Sequence, residues 1–175
     1  DNPNVYMSMG ITAENVAKKF NISRKEQQDF AISSHSKANS AKETNMFDNE
    51  IVPITNNDQI INKDGGIRPN TSHEILDGLK LAFDENGTVT AGTASPLTDG
   101  ASAVIVCEEE YAKKNNLNIL ARIKSTAVVG CPPELMGLGP INASKKALKR
   151  ANLSISDIDI VELNEAFASQ SLACI

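Results

Sequence analysis

Segments with helical spacing of hydrophobic residues alternate along the chain with short apolar runs. Near the start, hydrophobic residues fall on one face of a helix that the pattern begins at about Thr12. They are Ala13, Val16, Ala17 and Phe20. A second helix is predicted to begin at Ser23, because a Ser followed three residues later by Glu26 forms a capping box. Its positions at helical spacing are Phe30, Ser34, Ala38 and Ala41.

Short runs rich in β-branched and other apolar residues predict buried strands in the second half of the chain. These runs span residues 103–107, 119–129 and 158–163. A further strand, broken by Pro53, is predicted over residues 47–54. Helices are predicted over residues 108–115, after a cap at Asn142, and from about Ala166. Because strand, helix and strand alternate, the pattern predicts an α/β fold with a mixed or parallel sheet.

The polar stretch over residues 55–72 contains Gly65, Gly66 and Pro69. This composition predicts an extended loop with little regular structure. A long loop of this kind inside a compact protein is usually functional or disordered. Loops are also predicted around Pro132 and over residues 137–140, where glycine and proline cluster.

Composition narrows the class of protein. Hydrophobic residues make up 41% and charged residues 22% of the chain, as in a globular protein with a sizeable core. We expect no membrane span, because no apolar run is long enough to cross a bilayer. The formal net charge of -5 comes without a basic stripe, so nucleic acid is not expected as a partner.

The cysteines Cys107, Cys131 and Cys174 are odd in number, widely spaced and without a CxxC pair. This pattern favours free thiols in a reducing compartment over a disulfide framework or a zinc site. Their neighbours are apolar or proline-rich, so all are predicted to be small packing residues. Free thiols favour the cytoplasm, the mitochondrion or the peroxisome over secretion.

Asn164 and Glu165 stand where an apolar run changes to a segment rich in helix formers. In open α/β sheets, ligands bind where strands end and helices begin. An amide at this place suits a reacting carbonyl, because a neutral donor stabilises charge that develops on oxygen. The simpler interpretation is that Asn164 only caps the following helix.

Asn164-Glu165-Ala166-Phe167 resembles the Asn-Glu-Ala-Phe signature of the thiolases, which cleave or form carbon–carbon bonds between acyl-CoA molecules. Further segments recur in thiolase order and at similar spacing. They are Met9–Ala17, Gly87–Ser95 continuing to Asp99-Gly100-Ala101, and Met136–Pro140. The resemblance covers the whole chain. It implies an α/β fold, the thiolase-like layered α-β-α-β-α core, with residues 1–94 in a loop domain that covers CoA. Residues 95–114 would end the first half of the core, and residues 115–175 would start the second.

The resemblance also implies a catalytic role for Asn164. In the family this Asn fixes a water molecule that forms an oxyanion hole together with a histidine, which here lies outside the chain. A carboxylate beside an oxyanion would oppose the developing charge, so Glu165 is expected to orient neighbouring groups or to contact a helix N-terminus. The histidines present, His35 and His73, have no catalytic counterpart and are interpreted as ordinary surface or helix residues.

CoA contacts follow from the same resemblance. Ser95 is expected to hydrogen-bond the pantetheine arm, and Ala94 to line the same tunnel. Arg68 matches a basic position against the CoA nucleotide, where a guanidinium suits phosphate. Met136 and Phe167 are expected at the acyl and thioester end, and Met9 is expected among the residues that bind the substrate or CoA. Outside the family, these residues have simpler interpretations: a tight turn at Ser95, a solvated Arg68, and core positions for Met136 and Phe167.

The implied activity is thiolytic cleavage of 3-ketoacyl-CoA by CoA in fatty-acid β-oxidation, with CoA as a substrate and no cofactor or metal. Biosynthetic acetoacetyl-CoA thiolases commonly carry a histidine before Met-Gly, whereas this chain has Ser8. Residues 129–132 and 170–175 are also similar to bacterial β-oxidation thiolases. The alternatives are a biosynthetic acetoacetyl-CoA thiolase and a non-catalytic thiolase-like protein that binds acyl-CoA.

The chain begins at Asp1 without Met and stops at Ile175 inside a predicted helix, so we expect an internal fragment. The nucleophilic cysteine and the histidine and Cys-Gly acid/base pair of thiolases would then lie outside it, and the fragment alone would be inactive. The resemblance further implies a homodimer or tetramer, and a hydratase/dehydrogenase subunit as a possible partner. Bacterial cytoplasm is the expected location, or the mitochondrion or peroxisome in a eukaryote.

Overall fold

A computed structural model describes residues 3–175, apart from the side chain of Asn4. The α-helices are α1 (Met9–Phe20), α2 (Arg24–Glu43), α3 (His73–Asp77), α4 (Glu109–Lys114), α5 (Gly139–Ala151) and α6 (Ala168–Cys174). An antiparallel hairpin consists of β1 (Ile54–Asn56) and β2 (Gln59–Ile61). Short 3-10 helices span Pro3–Tyr6, Ala91–Thr93, Pro133–Leu138 and Ile155–Asp157.

Both helices predicted near the start of the chain are present, although α1 begins at Met9 and not at about Thr12. Local caps define where they begin. The Ser8 hydroxyl accepts the Ile11 amide at 3.4 Å and begins α1. The predicted capping box begins α2, with the Glu26 amide on Ser23 Oγ at 3.2 Å and the Ser23 amide on the Glu26 carboxylate at 2.7 Å. The charged helix predicted over residues 108–115 is also present, as α4.

The buried core lies around α1. This helix packs against α6 and the 3-10 helix Pro133–Leu138, while α2 packs against α6 and α3. Val16 of α1 and Val89 are fully buried. Burying such side chains favours folding by about 1.5–3 kcal/mol each. These contacts join segments from both ends of the chain around one helix.

The predictions of four strands are wrong in the described part of the chain, because these runs form no hydrogen-bonded strand apart from Ile54 at the start of β1. The runs span residues 47–54, 103–107, 119–129 and 158–163. Their hydrophobic side chains are largely exposed, including Val104 at 86% and Leu120 at 90%. The physical reason is that a strand is stabilised by a neighbouring strand. The described residues supply no such neighbour to these runs.

The hairpin lies within the segment predicted to have little regular structure. Asn57 and Asp58 connect its strands with φ of 47° and 63°. A two-residue hairpin turn of this kind needs positive φ at both central positions, which Asn and Asp tolerate. Asn57-Asp58 lies between two triplets that each contain two β-branched residues, and this was a hairpin signal that the composition of the longer stretch concealed.

Two further helix starts differ from their predictions. Helix α5 begins at Gly139 with Pro140 in its first turn, not after a cap at Asn142, because proline is well tolerated where the amide needs no partner. The loop predicted over residues 137–140 is accordingly helical. Helix α6 begins at Ala168 with Phe167 at its N-cap position, so Asn164 is not a helix cap.

Candidate active site

The thiolase-like segments around Ser95 and Asn164 meet in the structure. Ala94 and Phe167 form an isolated antiparallel bridge. The Ser95 amide donates to the carbonyl oxygen of Ala166 at 2.9 Å. Backbone hydrogen bonds therefore fix Ala94 and Ser95 beside the segment that carries Asn164 and Glu165. Asn164 and Glu165 are both exposed.

A cavity of about 180 Å³ adjoins this junction. Its lining comes from one face of α2, from residues 92–96 and from Glu165 and Ala168. Pockets for whole drug-sized ligands measure about 300–1,000 Å³, so a cavity of this size accepts only part of a larger ligand. Of the residues predicted for the site, the lining contains Ala94, Ser95 and Glu165.

Helix α2 supplies Ser34 and His35 to the cavity lining, and neither was predicted as a site residue. Ser34 Oγ donates a hydrogen bond of 2.6 Å to Glu165 Oε2. This bond fixes the residue next to Asn164 to α2. The helical spacing of Phe30, Ser34 and Ala38 could be seen in the sequence, but tertiary contacts decide which part of the molecule this face of α2 meets.

His35 connects the cavity to the loop that carries Arg68. His35 Nδ1 accepts the Arg68 amide at 3.2 Å. The Arg68 side chain is exposed, and Arg68 itself does not belong to the cavity lining in the described chain. The interpretation of His35 as an ordinary residue is therefore incomplete, because it holds the backbone of a predicted CoA-binding residue near the cavity.

Phe167 is half-buried and packs edge-on against Phe83, with ring centroids 5.9 Å apart and an interplanar angle of 79°. The Phe83 ring in turn lies over Gly10, where an added Cβ would fall 2.1 Å from Phe83 Cδ1. A close aromatic contact thus explains the glycine in Met9-Gly10. Met9, next to this glycine, is 53% exposed.

Met136 lies in the 3-10 helix that packs against α1, and it is 40% exposed. The side-chain amide nitrogen of Asn15 in α1 donates to the carbonyl of Glu134 at 3.1 Å, which holds this short helix against α1. Gly137 faces α6, where an added Cβ would lie 2.8 Å from Gln170 Cγ. Within residues 3–175, neither Met136 nor Met9 lines the cavity beside Ser95.

The cysteines are free thiols in the described chain, as predicted. Cys107 is exposed, whereas Cys131 and Cys174 are half-buried. Burial raises the pKa of the Cys174 thiol. A raised pKa disfavours the thiolate, the form that acts as a nucleophile. Cys174 Sγ instead donates to the carbonyl of Gly137 at 3.4 Å.

Residues 3–175 contain no group of three or more His, Cys, Asp or Glu side chains placed to hold a metal ion. Among those residues, no helix has the length and apolar character needed to cross a bilayer.

Comparison with known families defines the class of protein. The model of the thiolase N-terminal domain matches residues 3–110, and that of the thiolase C-terminal domain matches residues 117–175. The chain belongs to the thiolase family, and the predicted α/β fold is the thiolase fold. The apolar runs over residues 103–107, 119–129 and 158–163 lie within the ranges that these family models match.

Similar curated proteins are named 3-ketoacyl-CoA thiolase. The one from Serratia proteamaculans is 54% identical over 95% of this chain and 45% of its own length. The one from Aliivibrio fischeri is 51% identical over the same shares. The chain spans about 45% of the length of these relatives.

Solved thiolase structures superpose closely on the chain. Human mitochondrial 3-ketoacyl-CoA thiolase is 44% identical with a TM-score of 0.94, covering 99% of this chain and 44% of its own. The same human enzyme has been solved in complex with CoA. Bacillus anthracis acetyl-CoA acetyltransferase is 42% identical with a TM-score of 0.92, covering 96% of this chain and 44% of its own.

Proposed function

We propose that the complete protein is a β-oxidation acyltransferase that cleaves 3-ketoacyl-CoA with CoA into acetyl-CoA and a shortened acyl-CoA. The observation that carries this proposal is the junction of Ala94 and Ser95 with Ala166 and Phe167. It brings the predicted CoA-contacting residues beside Asn164 in a chain about half identical to proteins named 3-ketoacyl-CoA thiolase.

Asn164 is proposed to act in carbon–carbon bond cleavage. The leaving acetyl-CoA is an enolate, so negative charge develops on its thioester oxygen. Fixed hydrogen-bond donors at that oxygen lower the barrier. The Asn164 amide would hold a water molecule as one such donor, beside a histidine outside the chain. Glu165, which accepts the hydrogen bond of Ser34, would fix the orientation of the segment that carries Asn164.

CoA is proposed to bind along the junction. Ser95 would hydrogen-bond the pantetheine arm, and Ala94 would line its path. Arg68, whose exposed guanidinium suits phosphate, would meet the nucleotide. Met136 and Phe167 would form apolar walls at the acyl end, and Met9 would also contact the substrate or CoA.

The proposed reaction proceeds in two halves. A cysteine outside the chain attacks the keto carbon, and the bond to the α-carbon breaks as the acetyl-CoA enolate leaves and is protonated. The thiolate of a second CoA then removes the acyl group from the cysteine. CoA is a substrate, and this chemistry calls for no further cofactor.

The domain division at residues 94 and 114 remains a proposal. We also propose a homodimer or tetramer, association with a hydratase/dehydrogenase subunit, and a cytoplasmic location. A biosynthetic acetoacetyl-CoA thiolase is the second candidate function, because the chain is also similar to an acetyl-CoA acetyltransferase of known structure. Ser8, which here caps α1, occupies the position where biosynthetic thiolases commonly place a histidine, and this favours the degradative function.

The test is a thiolysis assay of the complete protein with acetoacetyl-CoA and a long-chain 3-ketoacyl-CoA. Asn164→Ala should lower kcat by about 100-fold or more, as loss of an oxyanion-hole donor does. Asn142→Ala, on the exposed face of α5, is the matched control and should leave kcat unchanged. Activity confined to acetoacetyl-CoA would support the biosynthetic function. Folded protein without turnover would support a non-catalytic acyl-CoA binder.

A further inference from the structure

Glu14 in α1 is a buried acidic residue that the proposed reaction does not use, with only 7% of its surface exposed. Its Oε1 accepts the amides of Thr88 and Val89 at 3.0 and 2.9 Å. Its Oε2 accepts the Thr88 amide at 2.8 Å and the Thr88 hydroxyl at 3.3 Å. An added Cβ at Gly87 would fall 2.1 Å from Glu14 Oε1, so the carboxyl group lies directly against this backbone.

The segment held by Glu14 continues into the candidate site through a closed turn. The Thr90 amide donates to Thr93 Oγ at 3.1 Å, and the Thr93 amide donates to the Thr90 carbonyl at 3.1 Å. Val89 and Thr90 are fully buried. A displacement at Thr88 is therefore transmitted to Ala94, the next residue after the turn.

The neighbouring residue of α1 holds the opposite side of the same junction. The Ala13 carbonyl accepts the hydroxyl of Ser169 at 3.0 Å, and Ser169 is fully buried. Ser169 lies two residues after Phe167, the bridge partner of Ala94. Adjacent residues of α1 thus anchor both segments that meet at the site.

We propose that Glu14 is a positioning residue that sets the place of Ala94 and Ser95 for CoA binding. The inference rests on the proposed function, because it assumes that these residues contact CoA. Hydrogen bonds to a carboxylate are among the strong ones in proteins, and a buried donor that loses its partner has a large cost. Without the hydrogen bonds that Glu14 accepts from Thr88 and Val89, residues 88–95 would shift relative to Phe167.

The test compares Glu14→Gln with the wild type of the complete protein, since the amide keeps the shape but places a donor against the Thr88 amide. We expect the KM for CoA to rise about tenfold with kcat within about twofold, and amide hydrogens in residues 88–95 to exchange faster. Ala112→Gly is the control for plain loss of stability. Ala112 is buried in α4 and outside the cavity lining, so the melting temperature should fall with the KM unchanged.

A KM for CoA within about twofold of wild type, or a rise equalled by Ala112→Gly, would overturn the proposal. If Glu14→Gln does not fold, Thr88→Val removes the hydroxyl contact with Glu14 together with the hydrogen bond that the hydroxyl accepts from the Gln27 side chain. It should raise the KM about threefold above that of Gln27→Leu, which removes the Gln27 contact alone, and no such excess would again contradict the proposal. A wild type without thiolysis would defeat the proposed function instead. The dissociation constant for CoA and the exchange rates of residues 88–95 would then decide the role of Glu14.

Discussion

Val16 in α1 is fully buried, whereas Val104 in the first apolar run of the second half is 86% exposed. The difference lies in how each secondary structure satisfies its backbone. A helix pairs its amides and carbonyls within its own segment and needs other elements only to cover one face. A strand needs a neighbouring strand before either its backbone or its side chains are satisfied. The helices around α1 have both their backbone hydrogen bonds and a covered apolar face, whereas within residues 3–175 the apolar runs have neither a neighbouring strand nor buried side chains.

The largest expected effect contrasts these two valines. Val16→Ala leaves a cavity in the core and should reduce the free energy of unfolding of the 175-residue chain by about 2 kcal/mol. Val104→Ala, at an exposed position, should change it by less than about 0.5 kcal/mol. Urea unfolding measures both.

The complete protein sharpens this contrast. Contiguous exposed apolar surface is rare in soluble monomers, so we expect residues 103–107 to be covered there. Val104→Ala should then cost about as much as Val16→Ala. An equally small cost of Val104→Ala in both proteins would mean that the run remains exposed, and would contradict its assignment to a thiolase sheet.

A pair of glycines gives the next largest effect. Gly10→Ala places a Cβ where the Phe83 ring lies, so it should destabilise the chain by about 1–3 kcal/mol and disturb the Phe83–Phe167 contact. Gly100→Ala meets no heavy atom within 4 Å and should be nearly neutral. Thermal unfolding compares the two. Equal melting temperatures would show that Phe83 moves aside without cost.

The smallest expected effect concerns the capping box of α2. Ser23→Ala should cost about 1 kcal/mol at neutral pH, whereas Ser33→Ala, exposed on the same helix, should be nearly neutral. The Ser23 hydroxyl and amide hydrogen-bond the Glu26 carboxylate and lower its pKa below the ordinary value of 4.5. Stabilisation from a lowered carboxyl pKa is present above 4.5 and is lost as the pH falls through the folded-state value.

The lowered pKa of Glu26 also determines how the cost of Ser23→Ala depends on pH. Between about pH 5 and pH 3, the wild type should lose more stability than Ser23→Ala, so the two unfolding curves should converge. Urea unfolding at a series of pH values measures this. A difference that stays constant down to pH 3 would mean that Glu26 does not take part in the cap.

Locally encoded elements could be predicted from the sequence. The capping box at Ser23 and the apolar face of α1 are contained in a few neighbouring residues, and both predictions are confirmed. The predicted start of α5 was wrong. Asn142 is a common cap residue, but Pro140 already lies in the first turn of the helix. A local rule fails when two signals compete within one turn.

Contacts between distant segments could not be predicted from local patterns. The bond from Ser34 to Glu165 joins residues 131 positions apart, and Glu14 reaches Thr88 across 74 positions. Resemblance to thiolases placed Ser95 and Asn164 in one site, but neither periodicity nor composition did. His35 and Ser34 became visible as cavity residues only when α2 was packed against the junction.

We propose that residues 92–96 and 164–167 form one CoA site. Hydrogen exchange of the complete protein with and without saturating CoA, with calorimetry to establish that CoA binds, tests it most directly. We expect amide hydrogens in both segments to exchange more slowly when CoA is bound, and the exchange rates of the hairpin β1–β2 to stay the same. Slower exchange in only one segment, or in neither while CoA is bound, would contradict a shared site.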